Sequence, residues 1–462
     1  MFADIVGREN CMTDAAALRV YECDALTGTR VRPAAVVLPA NTDEVAACVK
    51  RAREHNMAIV PRGSGTGLSG GALPIEGAVV IGTSRMRSIL EVDFENQRMR
   101  VQPGVINLDI SRYLAPHGYY YAPDPSSQSV CSIGGNVAEN SGGAHCLKYG
   151  FTINHVLALT LVLASGEIVT IGGDSPDPLG YDLISAVVGS EGLLGIVTEV
   201  TVRFLRVPQA TRTLFATFPS TDEAGEAVSQ IIAAGMVPAA IEMMDKLAIE
   251  AIVAATHVDW PLDAGAALLM DVDGTTEEVA ECADAASEIL QRCGAIEIRR
   301  PRDDRERQLM WTGRKGAFAA MGRISPNYYV QDGAIPRSDI APVLREIAEL
   351  SHESGFRVAN VFHAGDGNLH PLVLYDARSG DEAQRAEHVA AEILRICLRH
   401  GGSITGEHGV GADKSAYLGE MFGEPDLETM HLVRCAFDST RTFNPTKVFP
   451  SPRLCGDRVG AH

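Results

Sequence analysis

The chain has 462 residues, about three times the roughly 150-residue scale of one domain, which excludes a peptide ligand or a small staple-dependent fold and calls for two or three lobes. Lys and Arg total 40 against 59 Asp and Glu, a net charge of −19 with no basic run to offset it, so nucleic acid and anionic membranes are not expected partners. Hydrophobic residues make up 46%, yet no stretch approaches the roughly eighteen apolar residues of a membrane span, and MFADIVGREN lacks the basic and apolar regions of a signal peptide. A cytoplasmic location is expected. The ten cysteines show no CxxC pair and no spacing for a zinc knuckle or an iron–sulfur cluster, so most are expected to be reduced core thiols.

From Arg32, PAAVVLPA reads as a strand and TDEVAACVKRAREHN as a helix capped by Asn41 or Thr42. MAIVP (57–61) reads as a buried strand running into RGSGTGLSGG, followed by the strand AVVIG (78–82). RSILEVDFENQRMRVQ reads as a hairpin turning at Glu95 and Asn96, and LALTLVLASGEIVTIGG as a second turning at Ser165 and Gly166. Between them lies another Gly and Asn cluster, residues 123–143, and no further long helix is expected in this half. Around Arg206, Val207 and Pro208 the period changes. TLFATF, TDEAGEAVSQIIAAG, PAAIEMM, AALLMDVDG, TEEVAECADAASEILQRCG and AIEIRR follow in the order β-α-β-β-α-β, the ferredoxin-like unit. DLETMHLVRCAF reads as a terminal helix before FNPTKVFP.

Residues 65–70 match GxGxxG after a strand, the dinucleotide fingerprint. Its context is wrong, since Gly71 and Pro74 break any helix at once and no βαβ unit follows. What remains is a loop of small residues whose successive backbone N–H groups form a nest for a pyrophosphate, with Arg62, Ser64 and Thr66 as added donors. A plain surface turn would show a similar glycine cluster. The second cluster, PDPSSQSVCSIGGNVAENSGG, favours a long ligand held along its length.

PRGSGTGLSGGALP, PDPSSQSVCSIGGNVAENSGG with HCLKYG after it, and GSEGLLGIVTEVTV resemble the FAD-binding domain of the vanillyl-alcohol oxidase type of flavoprotein. The likeness extends over essentially the whole chain and is strongest to the branch that oxidises glycolate and D-lactate. It implies an α+β fold of two lobes: an FAD-binding domain over 1–207, a ferredoxin-like cap over 208–420, and a segment 421–462 returning to the FAD lobe. The cofactor contacts it implies are Pro61, Arg62, Gly63, Ser64, Gly65, Thr66, Gly67, Ser69 and Gly70 around the pyrophosphate. Along the rest of FAD it implies Pro123, Asp124, Ser127, Gly134, Gly135, Asn136, Ala138, Asn140, Gly142 and Gly143, then Glu191, Gly192, Gly195, Ile196 and Asn444, with Lys447 a weaker match. Some members attach the flavin covalently through a histidine in the first loop. Here that loop carries Arg62 and no histidine, which implies non-covalent FAD.

In NVFHAGDGNLHPLVLYD, His363 and His370 flank Gly365, Asp366, Gly367 and Asn368, a turn signal between apolar runs. One straight strand would put histidines seven apart on opposite faces, whereas a hairpin lets them meet. GGSITGEHGVG places Glu407 and His408 at a strand end between Gly406 and Gly409. Two imidazoles and a carboxylate suit a divalent ion with coordination positions left open. The resemblance implies that His363, His370 and Glu407 hold a zinc-like ion, that His408 is the base, and that Arg314 clamps the substrate carboxylate. The reaction so implied is oxidation of a small 2-hydroxy acid, glycolate or D-lactate, by hydride transfer to flavin N5 with metal-assisted deprotonation of the hydroxyl. Relatives accepting a dicarboxylate carry a second cation where this chain reads Asn327 to Asp332, so a monocarboxylate is expected. Lacking a cluster motif, the chain is expected to pass electrons to a second flavin-type subunit and an iron–sulfur subunit, with any contact to the inner membrane only through those partners. Two other classes account for parts of the sequence: a metal-dependent hydrolase built on the His and Glu residues, and an FAD-binding subunit without turnover.

Overall fold

The structure is a computed structural model that describes residues 1–175, 180–450 and Cys455. The chain forms two compact units: residues 1–142, 150–207 and 407 onward make the first, and 143–149 with 208–406 the second. The change of unit after Val207 falls where the sequence period changes. The return to the first unit comes at Glu407 rather than at residue 421. The cause is local bonding: the Gly406 N–H donates to the backbone oxygen and Oδ2 of Asp332 at 3.0 and 3.1 Å, whereas the Gly411 N–H donates to Oε2 of Glu191 at 2.7 Å.

In the first unit, strands Ala35–Val37, Val79–Gly82 and Ile59–Arg62 are parallel neighbours, with the short Cys11–Met12 antiparallel at one edge. Five antiparallel strands follow in the order Ile89–Asp93, Arg98–Val101, Ile196–Arg203, Val156–Val162 and Ile168–Gly172. Both expected hairpins form here, the second with Gly166 at φ +77° in its turn. Helix Thr42–Glu54 starts at Asn41, whose side chain accepts from Glu44 N–H at 2.9 Å. Its Val45, Cys48 and Val49 pack with Val37 and Ile81 of one sheet and Val162 and Ile196 of the other. Phe443 joins that core and pairs beside Ile59, so the C-terminal segment runs along this sheet. Helices Asn107–Leu114 and Ile133–Glu139 were not expected in this half. The second passes through two glycines that propensity disfavours in a helix. Gly134 packs so tightly that a Cβ there would lie 2.6 Å from Cβ of Pro103, and tertiary packing overrides the local preference.

In the second unit, strands Ala210–Phe218, Ala240–Asp245, Ala266–Gly274 and Glu297–Arg299 pair antiparallel in the spatial order fourth, first, third, second. That is the expected ferredoxin-like order, with helices Thr221–Ala233 and Thr276–Arg292 as its two connections. One helix was missed, Lys246–Thr256, capped by the Asp245 side chain and inserted between the two middle strands. Beyond Ala240–Asp245 the sheet continues into Val358–His363. Alternate residues enter two cores: Leu214, Ile241, Met243 and Leu268 on one face, and Phe215, Ala240, Met244 and Leu269 on the other. Residues 143–149 dock on this unit, where the Tyr149 hydroxyl donates to Asp273 Oδ2 at 2.7 Å and Lys148 pairs with the same carboxylate.

Eight cysteines lie outside any disulfide, but Cys435 and Cys455 form one, a pairing 20 residues apart that no sequence spacing signalled. Among the described residues, no helix is long and apolar enough to cross a membrane.

Helix Thr276–Arg292 starts with a capping box, in which Thr275 and Glu278 satisfy each other's backbone N–H groups. Thr275→Ala should therefore lower unfolding free energy by about 1 kcal/mol, read as a lower denaturant midpoint.

Candidate active site

In the first unit, the strand ending at Pro61 and Arg62 delivers the glycine loop. Gly65 and Gly70 sit at φ +71° and +78°, a region L-residues adopt at a cost. A Cβ at Gly63 would lie 2.4 Å from Oγ of Ser132, so the first loop and the start of helix Ile133–Glu139 come together. That helix carries Gly134, Gly135, Asn136 and Ala138, and Asn140 ends it at φ +54°. Its last carbonyls accept from the third motif, Val137 O from Gly189 N–H and Ala138 O from Glu191 N–H, each at 2.8 Å. Asn444 closes the set, its Nδ2 donating to Gly71 O at 3.0 Å and Glu191 O at 2.6 Å.

Thus the three Gly-rich motifs and the C-terminal Asn meet, with Pro123, Asp124 and Ser127 on the loop before the helix and Gly192, Gly195 and Ile196 leading into strand Ile196–Arg203. Ser69 Oγ, Ser132 Oγ and Asn444 Oδ1 are buried and have no hydrogen-bond partner among the described residues. Buried polar atoms of this kind need a partner, and loops of small residues that carry such atoms fit a dinucleotide. Two candidate residues also have structural partners. Arg62 Nη1 donates to Cys23 O at 2.8 Å and Ala72 O at 3.4 Å, so this guanidinium staples the loop. Ile196 is packed in the apolar core. Gly143 lies across the unit boundary from Gly142.

Glu191, itself at φ +51°, is buried against these loops and accepts from Val410 and Gly411 N–H at 2.7 Å each. Gly409, at φ +84°, passes so close that a Cβ would lie 2.3 Å from Glu139 Oε2 and 2.9 Å from Glu191 Oε1. Residues 407–411 are therefore held onto the glycine loops within this unit. No strand forms at Glu407 and His408, contrary to expectation, because the backbone turns through Gly409 and Gly411, both at positive φ. The two side chains approach with His408 Nε2 3.9 Å from Glu407 Oε1. Burial pushes the Glu191 carboxyl up to about 7, against the opposing pull of the Val410 and Gly411 N–H groups and of Lys414 and Lys447. Burial likewise lowers Lys447 to about 8.

In the second unit, Val358–His363 and Pro371–Tyr375 pair antiparallel, with Gly367 at φ +79° in the connection. The expected meeting of the histidines follows: the His363 and His370 rings lie 5.1 Å apart, edge to face, and both are buried. Each has a fully buried carboxylate beside it that sequence reasoning did not assign. Glu242, paired in register with His363, places Oε1 2.7 Å from His363 Nδ1 and Oε2 2.5 Å from Arg314 Nη2. Burial opposes its charge, but Arg314 and His363 outweigh that and hold the carboxyl below its ordinary range. Asp332 lies 3.5 Å from His370 Nε2 and accepts from Asn368 Nδ2 at 2.8 Å, the Thr405 hydroxyl at 2.6 Å and Gly406 N–H. Arg314, in the last turn of helix Asp304–Lys315, is 3% exposed, and its Nε has no hydrogen-bond partner among the described residues. Lys315 instead lies over the Trp311 ring.

Residues 207–448 match the C-terminal domain of FAD-linked oxidases, and residues 33–172 match an FAD-binding domain. The chain belongs to the FAD-linked oxidases. Glycolate oxidase subunit GlcD of Escherichia coli K12 is 48% identical over 96% of this chain and 89% of its own length. A D-lactate dehydrogenase of Anaerostipes hadrus is 33% identical over 91% and 90%. Among solved structures, p-cresol methylhydroxylase superposes with TM-score 0.83 over 97% of this chain and 95% of its own, at 16% identity. The fold is thus the expected vanillyl-alcohol oxidase type, and the glycine loops of this FAD-linked oxidase belong to an FAD-dependent oxidoreductase.

Because the folded-state pKa of Glu191 is raised, folding binds an extra proton between about pH 4.5 and 7, and stability falls as pH rises through that window. Glu191→Gln removes the titration. From pH 5 to 8 the wild-type chain should lose on the order of 1 to 3 kcal/mol more than the variant, measured by denaturant unfolding at each pH.

Proposed function

We propose that the chain oxidises a small 2-hydroxy monocarboxylate, glycolate to glyoxylate, with non-covalent FAD as its first electron acceptor. The observation carrying this reading is the cluster of His363, His370, Glu242 and Arg314 on one face of the second unit's sheet, in a chain whose first unit binds FAD. Glycolate is favoured by the 48% identity to a glycolate oxidase subunit, and D-lactate is the runner-up on the strength of the D-lactate dehydrogenase relative.

The donor set fits a divalent, zinc-like ion. A histidine whose Nδ1–H is given to a carboxylate keeps its Nε2 lone pair for a metal, and His363 has that arrangement with Glu242. His370 would supply a second imidazole and Glu407 a carboxylate. When bound, the ion would lower the pKa of the 2-hydroxyl, and FAD would take up the two electrons of the oxidation.

The chain's own residues do the rest. Arg314 binds the substrate carboxylate through the part of its fork not given to Glu242, in a site where burial strengthens the pairing. His408 removes the hydroxyl proton as general base. The dicarboxylate class is disfavoured because strand Asn327–Val330 carries no cation. With no cluster motif of its own, the chain hands electrons to partner subunits, a second flavin-type subunit and an iron–sulfur subunit, as expected for a relative of a named oxidase subunit.

His408→Ala should retain flavin and slow its reduction by glycolate about 10²- to 10⁴-fold, measured by anaerobic stopped-flow absorbance. Undiminished reduction would remove His408 from proton transfer. Arg314→Lys keeps a charge beside Glu242 but loses the planar fork. It should raise KM for glycolate about tenfold, or ~1.5 kcal/mol, and an unchanged KM would remove Arg314 from the substrate site.

A further inference from the structure

Glu242 stands between Ile241 and Met243 in the strand AIEMMD and is wholly buried. Strand alternation sends it to the same face as Ala240 and Met244, and His363 to the same face as Ala359 and Val361. The antiparallel register sets Glu242 directly opposite His363, so their 2.7 Å contact is built into the sheet. The other oxygen meets Arg314, which arrives from a helix 72 residues further along the chain. One carboxylate thus touches the residue assigned to the substrate and a residue assigned to the metal.

We propose that Glu242 is a positioning residue that fixes the tautomer of His363 and aims the guanidinium of Arg314 at the same time. This rests on the reading of the second-unit cluster given above. An ionised carboxylate only accepts hydrogen bonds. Facing His363 it therefore keeps the proton on Nδ1 and the lone pair on Nε2. Facing Arg314 it is ion-paired with Nη2 at 2.5 Å, and that contact holds the guanidinium in place.

A glutamine cannot do both. Its amide has one accepting and one donating end, and the accepting end must face Arg314, which has no acceptor to offer. The amide NH₂ then faces His363, which accommodates it by moving its proton to Nε2. The shape of the side chain is conserved while the nitrogen needed for a metal is capped.

The test is Glu242→Gln in the full FAD-loaded chain, with zinc affinity measured by chelator competition and the histidine tautomers by ¹⁵N-correlated NMR. We expect zinc affinity to fall about 10- to 100-fold and the His363 signal to change from the Nδ1–H to the Nε2–H form, with flavin content unchanged. Glu242→Asp keeps the acceptor but shortens the reach. It should hold the Nδ1–H form and lose less zinc affinity, and it serves if the glutamine variant does not fold. An Nδ1–H His363 with unchanged zinc affinity in the glutamine variant, or an Nε2–H His363 in the aspartate variant, would overturn the proposal. A wild-type chain that binds no zinc, or a His363→Ala chain that binds it equally well, would instead bring down the metal reading itself, and this proposal with it.

Discussion

A charge taken out of water must be met by partners of the opposite sign or by hydrogen-bond donors, and this chain buries its carboxylates where distant segments have to meet. Glu242 is answered by His363 and Arg314, 121 and 72 residues away in sequence. Asp332 is answered by Asn368, Thr405 and Gly406. Glu191 is answered by the N–H groups of Val410 and Gly411. Leaving any of these without its partners would cost several kcal/mol, so the same contacts that satisfy the charges fix the backbone next to the candidate site residues.

The two units use this constraint differently. In the first, the ligand cradle is mostly backbone, because glycines let three loops approach closer than any side chain would allow, as the blocked Cβ positions at Gly63 and Gly409 show. Glu191 then ties the segment carrying Glu407 and His408 to that cradle. In the second, the sheet supplies rigidity: two antiparallel pairings around Val358–His363 bring an imidazole pair and Glu242 onto one buried face, and helix Asp304–Lys315 brings Arg314 to Glu242. Function in this scheme depends on loops in one unit and on strand register in the other.

Much of this was legible in the sequence. The β-α-β-β-α-β order survived as the fourth, first, third, second arrangement of strands because period-two and period-3.6 patterns alternate clearly there. The turn around Gly367 foretold the meeting of His363 and His370. Helix Lys246–Thr256 was hidden because its apolar run continues directly from the preceding strand, and helix Ile133–Glu139 because its glycines read as loop. Glu242 and Asp332 went unassigned since their partners are far away in sequence. The one available signal was an acidic residue inside an apolar strand. Arg62 reads as a phosphate donor from its place beside the glycines, but its hold on the carbonyls of Cys23 and Ala72 has no signal in the sequence.

One chain is proposed to carry both an FAD site and a site that takes a 2-hydroxy carboxylate. The most direct test is an anaerobic visible spectrum of the purified FAD-loaded chain, recorded before and after glycolate is added. The oxidised flavin band should bleach without any partner subunit present, and faster with glycolate than with D-lactate. A flavin band that stays fully oxidised with both acids, in a chain supplied with zinc, would contradict it.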